Sequence, residues 1–201
     1  MKLYYIPGSC SLSPHIVIHE LGLDVSLLKV DHRQHTVEGG GDYYGINPLG
    51  YVPILELEDG TRFREGPVIV QYLADRAPSA GILPEAGSVA RARAQEWLNF
   101  IGTELHKGFS PLFTPGMPDE AKALAKTRLL SRLTWLDGEL AGKQYLMGDD
   151  FSVADGYLFT VTNWAPRVGV DITGLAHLTA YRARVGARPG VQAAMKAEGL
   201  I

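Results

Sequence analysis

With 201 residues, 46% of them hydrophobic and 20% charged, the chain can bury one or two sizeable cores and is not a disordered, collagen-like or coiled-coil chain. Nineteen Lys and Arg against twenty-two Asp and Glu leave a net charge of -3, too weak a field to hold a polyanion, so nucleic acid is not an expected partner. One cysteine cannot form an internal disulfide; no apolar run approaches the roughly 20 residues of a membrane span, and residues 3–6 are too short for a signal-peptide core, so a soluble protein of the reducing cytoplasm is expected.

The first 79 residues alternate short apolar runs with helical patterns, an α/β layout. Residues 3–6 suit a buried strand, 13–23 a helix ending near Gly22, and 26–30 a second strand. Residues 52–57 and 61–63, joined across Glu58-Asp59-Gly60, predict an antiparallel hairpin. A helix over 67–77 follows, with Pro67 in its first turn and Val68, Ile69, Tyr72 and Leu73 on one face. The Pro, Ser and Gly residues of 78–87 interrupt the pattern, and 80–87 is expected to be a linker.

From 88 to 201 strand signals vanish and an all-α domain is expected. Ser88 can cap a helix whose apolar positions Ala90, Ala94, Trp97, Leu98, Ile101 and Leu105 keep three-and-four spacing. Asp119 and Glu120 suit the positive end of another helix, with Leu129, Leu133, Leu136 and Leu140 as its stripe. A third begins at Ser152 and is apolar nearly all round, as a helix inside a bundle is; helices over 175–187 and 191–197 finish the chain. There is no internal repeat.

Four stretches carry candidate chemistry. Cys10, in Gly8-Ser9-Cys10-Ser11, falls between a strand and a helix start, where unpaired N–H groups favour a thiolate. It is either a reactive thiol or a small half-buried hydrophobe. In Asn47-Pro48-Leu49-Gly50-Tyr51-Val52-Pro53, a cis Val52-Pro53 bond would turn the Val52 backbone outward to pair with an extended peptide, although a trans proline opening a strand is commoner. Glu65 precedes a helix start at which the Gly66 and Val68 N–H groups could take a carboxylate while Glu65 holds an ammonium, the two ends of an α-amino acid; alternatively Glu65 only complements the helix dipole. Asn99, Thr103 and His106 share one helix face and either line a cleft or face water. No metal is expected, since no His/Cys/Asp spacing makes a zinc motif, and Gly39-Gly40-Gly41 lacks the Lys-Ser/Thr of a phosphate loop.

Together, residues 1–15, Asn47-Pro48, Gly50 to Pro53, Glu65-Gly66-Pro67 with Ile69 to Leu73, and Trp97 to Asn99 with Glu104 to Lys107 resemble the cytosolic glutathione transferases, most of all the bacterial beta class. The resemblance spans the chain. It implies a thioredoxin-like domain holding glutathione as co-substrate, an all-helical domain forming most of the pocket for a small hydrophobic electrophile, a homodimer and a cis Pro53. It also implies roles for residues: Cys10, Ser11 and His106 as donors to the glutathione sulfur, Val52 on the cysteinyl unit, and Glu65 with Gly66 on the γ-glutamyl end. Asn99, Thr103, Glu104, Leu105 and His106 become helical-domain positions near glutathione, and His35 stands where a lysine usually approaches the glycyl carboxylate. Gly66 replaces the usual serine, so one hydroxyl contact is missing; a histidine is cationic only in acid, so affinity is expected to rise as the pH falls. Ser152 and Asp155 resemble the family's capping box and are read as structural. The activity implied is conjugation of the glutathione thiolate to electrophiles, the alternatives being thiol–disulfide exchange through Cys10 or non-catalytic carriage of apolar ligands.

Overall fold

The computed structural model describes all 201 residues and divides into two compact units, one of residues 1–80 with 188–201 and one of 81–187. In the first, a five-stranded sheet has the order β3-β2-β1-β4-β5, built from β1 (Lys2–Tyr5), β2 (Ser26–Asp31), β3 (Thr36–Val37), β4 (Ile54–Glu56) and β5 (Arg62–Phe63). β1 runs parallel to β2 and antiparallel to β4, and its Leu3 lies opposite Leu27 on one side and Leu55 on the other. The parallel pair is connected through α1 (Leu12–Glu20), as a parallel connection requires a crossover. On the face opposite Leu3, Tyr4, Val30, Tyr43 and Ile54 make a separate cluster that Ile6, Leu28, Val37, Ile46 and Val52 partly cover.

The hairpin expected across Asp59-Gly60 forms: Gly60 N–H closes a turn on the Leu57 carbonyl at 3.1 Å, and Leu57 N–H meets the Thr61 carbonyl at 2.8 Å. Gly60 takes φ +85°, the left-handed position of a three-residue hairpin loop. α1 ends at Glu20, next to Gly22 as expected: Gly22 N–H bonds the His19 carbonyl and Leu23 N–H the Ile18 carbonyl, the paired bonds of a Schellman end. β3 has no strand signal in the sequence and exists only by pairing its two residues with Val30 and Asp31.

The expectation that everything after residue 88 joins the helical domain differs from the packing found. α8 (Pro189–Ala197) lies with the first unit, against α1. The reason lies in α1 itself, which is buried from Leu12 through Ile18 and so needs cover on more sides than α2 (Gly66–Asp75) and the sheet supply.

The second unit contains α3 (Val89–Phe100), α4 (Lys107–Phe113), α5 (Asp119–Glu139), α6 (Val153–Thr162) and α7 (Ala176–Gly186). Ser88 caps α3 as expected, its Oγ accepting the Arg91 N–H at 3.0 Å. α3 does not end in a loop: Ile101–His106 form a π-helical turn that leads straight into α4, with Lys107 N–H reaching the Gly102 carbonyl five residues back. No feature of the sequence announces that turn. All ten residues of α6 are buried. Its capping box is present, and Asp155 does more than cap: its carboxylate accepts from the Ser152 N–H (2.8 Å) and hydroxyl (2.7 Å), the Leu146 N–H (2.9 Å) and the Tyr181 hydroxyl (2.8 Å). Burial nonetheless pushes the Asp155 carboxyl above the usual carboxylate range. Ser152→Ala removes a donor from this buried group and is expected to cost about 1 kcal/mol or slightly more, read as a lower urea midpoint with unchanged alkylation kinetics of Cys10.

Candidate active site

The loop between β1 and α1 is organised by Ser11. Its hydroxyl accepts the Ile6 N–H at 3.1 Å, donates to the Ile6 carbonyl at 3.2 Å and contacts the Ser9 hydroxyl at 2.8 Å. Ser11 is fully buried. This corrects the role expected of it: a hydroxyl enclosed and engaged on the Ile6 backbone is a loop clamp, not a donor to a ligand sulfur. At the other side of the loop, Gly8 N–H donates to the Glu198 carboxylate at 2.7 Å, and Glu198 also meets His15 Nδ1 at 2.8 Å.

Cys10, half-buried, stands before the N-cap of α1 rather than in its first turn. The first N–H groups of the helix are already engaged, Leu12 with the Ser9 carbonyl and Ser13 with the Cys10 carbonyl. The sulfur instead donates to the Val52 carbonyl at 3.2 Å, a contact that only the S–H form can make. So Cys10 and Val52, far apart in sequence, share one spot, joined by the bond from the sulfur to the Val52 carbonyl.

Val52-Pro53 is a cis peptide, so the resemblance and not the general frequency of trans proline gave the right reading. The peptide before it is held from two sides: the Tyr51 carbonyl accepts from Asn47 Nδ2 at 2.7 Å and from the Tyr43 hydroxyl at 2.8 Å. Asn47 is buried and also accepts the Leu49 N–H at 3.3 Å, an Asx turn that the Asn-Pro-Leu-Gly string signals. Tyr43 had no such signal, since its hydroxyl acts eight residues away from a short turn over Tyr43–Gly45. Tyr51 itself is 69% exposed and Leu49 61%, so this loop turns its backbone clamps inward and its side chains outward.

Glu65 is exposed and takes φ +68°, ψ 110°, a strained conformation for a residue with a side chain and one that persists only when surroundings over-determine it. Of the two N–H groups expected to be available here, Val68's is taken by the Glu65 carbonyl at 3.0 Å. Gly66 N–H is therefore the donor that this helix start keeps, and α2 adds the positive end of its dipole. His35 is stacked on Tyr44 at 4.4 Å between ring centroids, and its buried Nδ1 has no hydrogen-bond partner. Gly50 makes room for that ring, since a Cβ there would come within 3.0 Å of it.

In the helical unit Asn99 and Thr103 are exposed, with the Thr103 hydroxyl on the Asn99 carbonyl at 3.0 Å. His106 does not share their face. The π-helical turn rotates it towards α6, where Nδ1 meets the Tyr157 hydroxyl at 2.6 Å and the ring lies edge-on to Trp164. Desolvation, with a smaller contribution from Lys107, lowers its pKa to about 4, so it is a neutral imidazole at pH 7. Leu105 is in the core. Glu104 is held by Arg132 at 2.7 Å, with Arg128 at 3.7 Å, and Arg132 lowers its pKa. No group of three or more His, Cys, Asp or Glu is arranged to hold a metal ion, and no helix is long and apolar enough to cross a membrane. A cavity of about 480 Å³ in this unit, lined by Trp97, Phe100, Trp135 and Met147 among others, contains none of the candidate residues.

Comparison with known proteins gives a consistent answer along the chain. Residues 8–76 match the family model of the glutathione S-transferase N-terminal domain and residues 100–189 that of the C-terminal domain. Glutathione S-transferase GstA of Escherichia coli O157:H7 is 46% identical over 200 residues, covering 100% of both chains. The structure of the bacterial beta class glutathione S-transferase of Sphingomonas chungbukensis has a TM-score of 0.97 at 46% identity, covering 100% of each chain. A sphingomonad glutathione S-transferase complexed with glutathione has a TM-score of 0.96 at 45% identity, again over 100% of each chain.

Two outcomes follow from the geometry. Tyr43→Phe leaves the Tyr51 carbonyl one donor and is expected to cost about 1 kcal/mol, whereas Asn47→Ala, which strips a buried loop of two bonds, costs more and accelerates alkylation of Cys10; denaturant titration and labelling kinetics read both. For His106, the folded pKa lies below the ordinary unfolded value, so its contribution to stability is complete above pH ~6.5 and is lost as the pH falls towards 4. Nitrogen chemical shifts of this ring should therefore stay flat from pH 8 to 5.5, and the acid loss of stability should shrink in His106→Gln.

Proposed function

Since this chain belongs to the glutathione S-transferase family, with relatives in the bacterial beta class, we propose that it joins the sulfur of glutathione to electrophilic carbons of small hydrophobic compounds. The reaction forms one C–S bond: the thiol loses its proton, the thiolate attacks, and a leaving group departs or a double bond takes up the electron pair. The observation that carries this reading is the Val52 rung, whose preceding peptide is clamped by Tyr43 and Asn47 while its carbonyl lies 3.2 Å from Cys10 Sγ. A cysteinyl unit pairing with Val52 as an added strand brings its own sulfur next to Cys10.

The remaining groups fit the two ends of the tripeptide. The γ-glutamyl carboxylate goes to Gly66 N–H at the positive end of α2, and the ammonium to the carboxylate of Glu65. His35 is the group for the glycyl carboxylate. In the helical unit, Asn99 and Thr103 are the proposed glutathione contacts, and His106 is the proposed donor to the sulfur anion: neutral, and with Nδ1 committed to Tyr157, it has Nε2 to offer. A homodimer and a cytoplasmic location belong to the same proposal.

Calorimetry with glutathione and the thiolate absorbance of the bound tripeptide against pH test it directly; absence of binding heat, or a titration identical to that of glutathione in solution, overturns it. Cys10→Ser separates conjugation from disulfide exchange: aryl halide conjugation is expected to persist, and its disappearance together with retained glutathione affinity would instead make Cys10 the reacting group. At Gly66 an added Cβ meets only Pro53, at 3.9 Å, so a serine fits. Gly66→Ser is expected to supply a hydroxyl bond of about 1 kcal/mol and to lower the glutathione Kd roughly fivefold.

A further inference from the structure

His15 and His19 are one turn apart on α1, a spacing that brings two side chains over each other. Their Nε2 atoms face one another at 3.2 Å. With the His15 proton held on Nδ1 by the Glu198 carboxylate, the His15 Nε2 lone pair accepts the Nε2–H of a neutral His19. When His19 carries its proton on Nδ1 instead, both Nε2 lone pairs are open to one ion; we propose that in this form the pair chelates a divalent transition-metal ion, making a two-histidine site in the first unit. The proposal does not depend on the glutathione reading.

Three observations support it. First, with metal–nitrogen bonds of about 2.0–2.1 Å, as zinc makes to histidine, a 3.2 Å separation closes an N–metal–N angle of roughly 100°, between octahedral and tetrahedral geometry. Second, His15 Nδ1 lies 2.8 Å from the Glu198 carboxylate. That bond fixes the proton on Nδ1 and turns the Nε2 lone pair towards His19, the carboxylate–histidine arrangement that orients metal ligands. Glu198 is itself anchored by the Gly8 N–H at 2.7 Å, so the ligand is pre-set rather than recruited. Third, the two rings differ in exposure: His15 is fully buried, with Tyr5 of β1 against its ring, whereas His19 is exposed. The buried ring supplies rigidity and the exposed one gives the ion access and room for water in its remaining positions. Imidazole donors without a carboxylate in the inner shell select zinc, copper or nickel over magnesium and calcium.

The test uses tag-free, metal-stripped protein carrying Cys10→Ser, so that the thiol cannot bind the ion. Titration with zinc chloride by calorimetry is expected to show one equivalent, and copper(II) bound in its place is expected to show nitrogen hyperfine coupling in its electron paramagnetic resonance spectrum. Adding His19→Ala, at an exposed position that should not disturb folding as checked by circular dichroism, is expected to abolish both. Glu198→Gln, if it folds, is expected to weaken the site by about 10–100-fold. No heat and no coupling would mean that the two rings share only a proton; binding that survives His19→Ala would put the ion elsewhere. Either result overturns the proposal.

Discussion

A buried carboxylate ties the last turn of this chain to its first loop. Glu198 follows α8, and its two oxygens take the Gly8 N–H and face His15 Nδ1. A carboxylate out of water without such partners costs several kcal/mol, so α8, α1 and the loop that carries Cys10 must arrive together. At the other end of α8, Arg188 makes a two-pronged bond to Glu20, with Nη2–Oε2 at 2.6 Å and Nε–Oε1 at 3.0 Å. α8 is thus fastened to α1 at both ends. Gly190 leaves room for the Glu20 carboxylate, which a Cβ there would meet at 2.8 Å unless that side chain shifted.

With that loop fixed, the candidate site is assembled mainly from backbone. Ser11 and Tyr43 spend their hydroxyls on main-chain groups of Ile6 and Tyr51, and Asn47 spends its amide likewise. Such side chains do not touch a ligand in the proposed reading; they decide which way the Val52 peptide and the Cys10 sulfur point. The positive φ of Glu65 at the head of α2 has the same sense in the proposed reading, where its carboxylate and the adjacent Gly66 N–H serve the two ends of one α-amino acid unit. A peptide ligand read by backbone pairing needs this kind of rigidity more than it needs many side chains.

The helical unit solves a different problem. α6 is buried along its whole length, so the polar groups that start it must be satisfied internally, and Asp155 gathers four donors from Ser152, Leu146 and Tyr181 to do so. The wider π-helical turn before α4 moves His106 off the exposed face of Asn99 and Thr103 and against Tyr157 and Trp164. Desolvation there keeps the ring neutral, which suits a hydrogen-bond donor and not a fixed cation.

Local chemistry was enough to make several elements legible: the Asp59-Gly60 hairpin, the Gly22 stop, the Ser88 cap and the Ser152–Asp155 box all depend on residues within a few positions of each other. The family, its two-part architecture and the stretches around Cys10, Val52 and Glu65 were legible as well, because each is a short contiguous motif. Tertiary structure alone decided what those residues bond to. Ser11 turned from ligand donor to clamp, Val68 N–H proved occupied, His106 left its predicted face, and α8 joined the first unit, since each outcome depends on a partner across a fold or on a helix widened by one residue. Periodicity averages over neighbours and carries no information about a carboxylate 190 residues from the N–H it accepts.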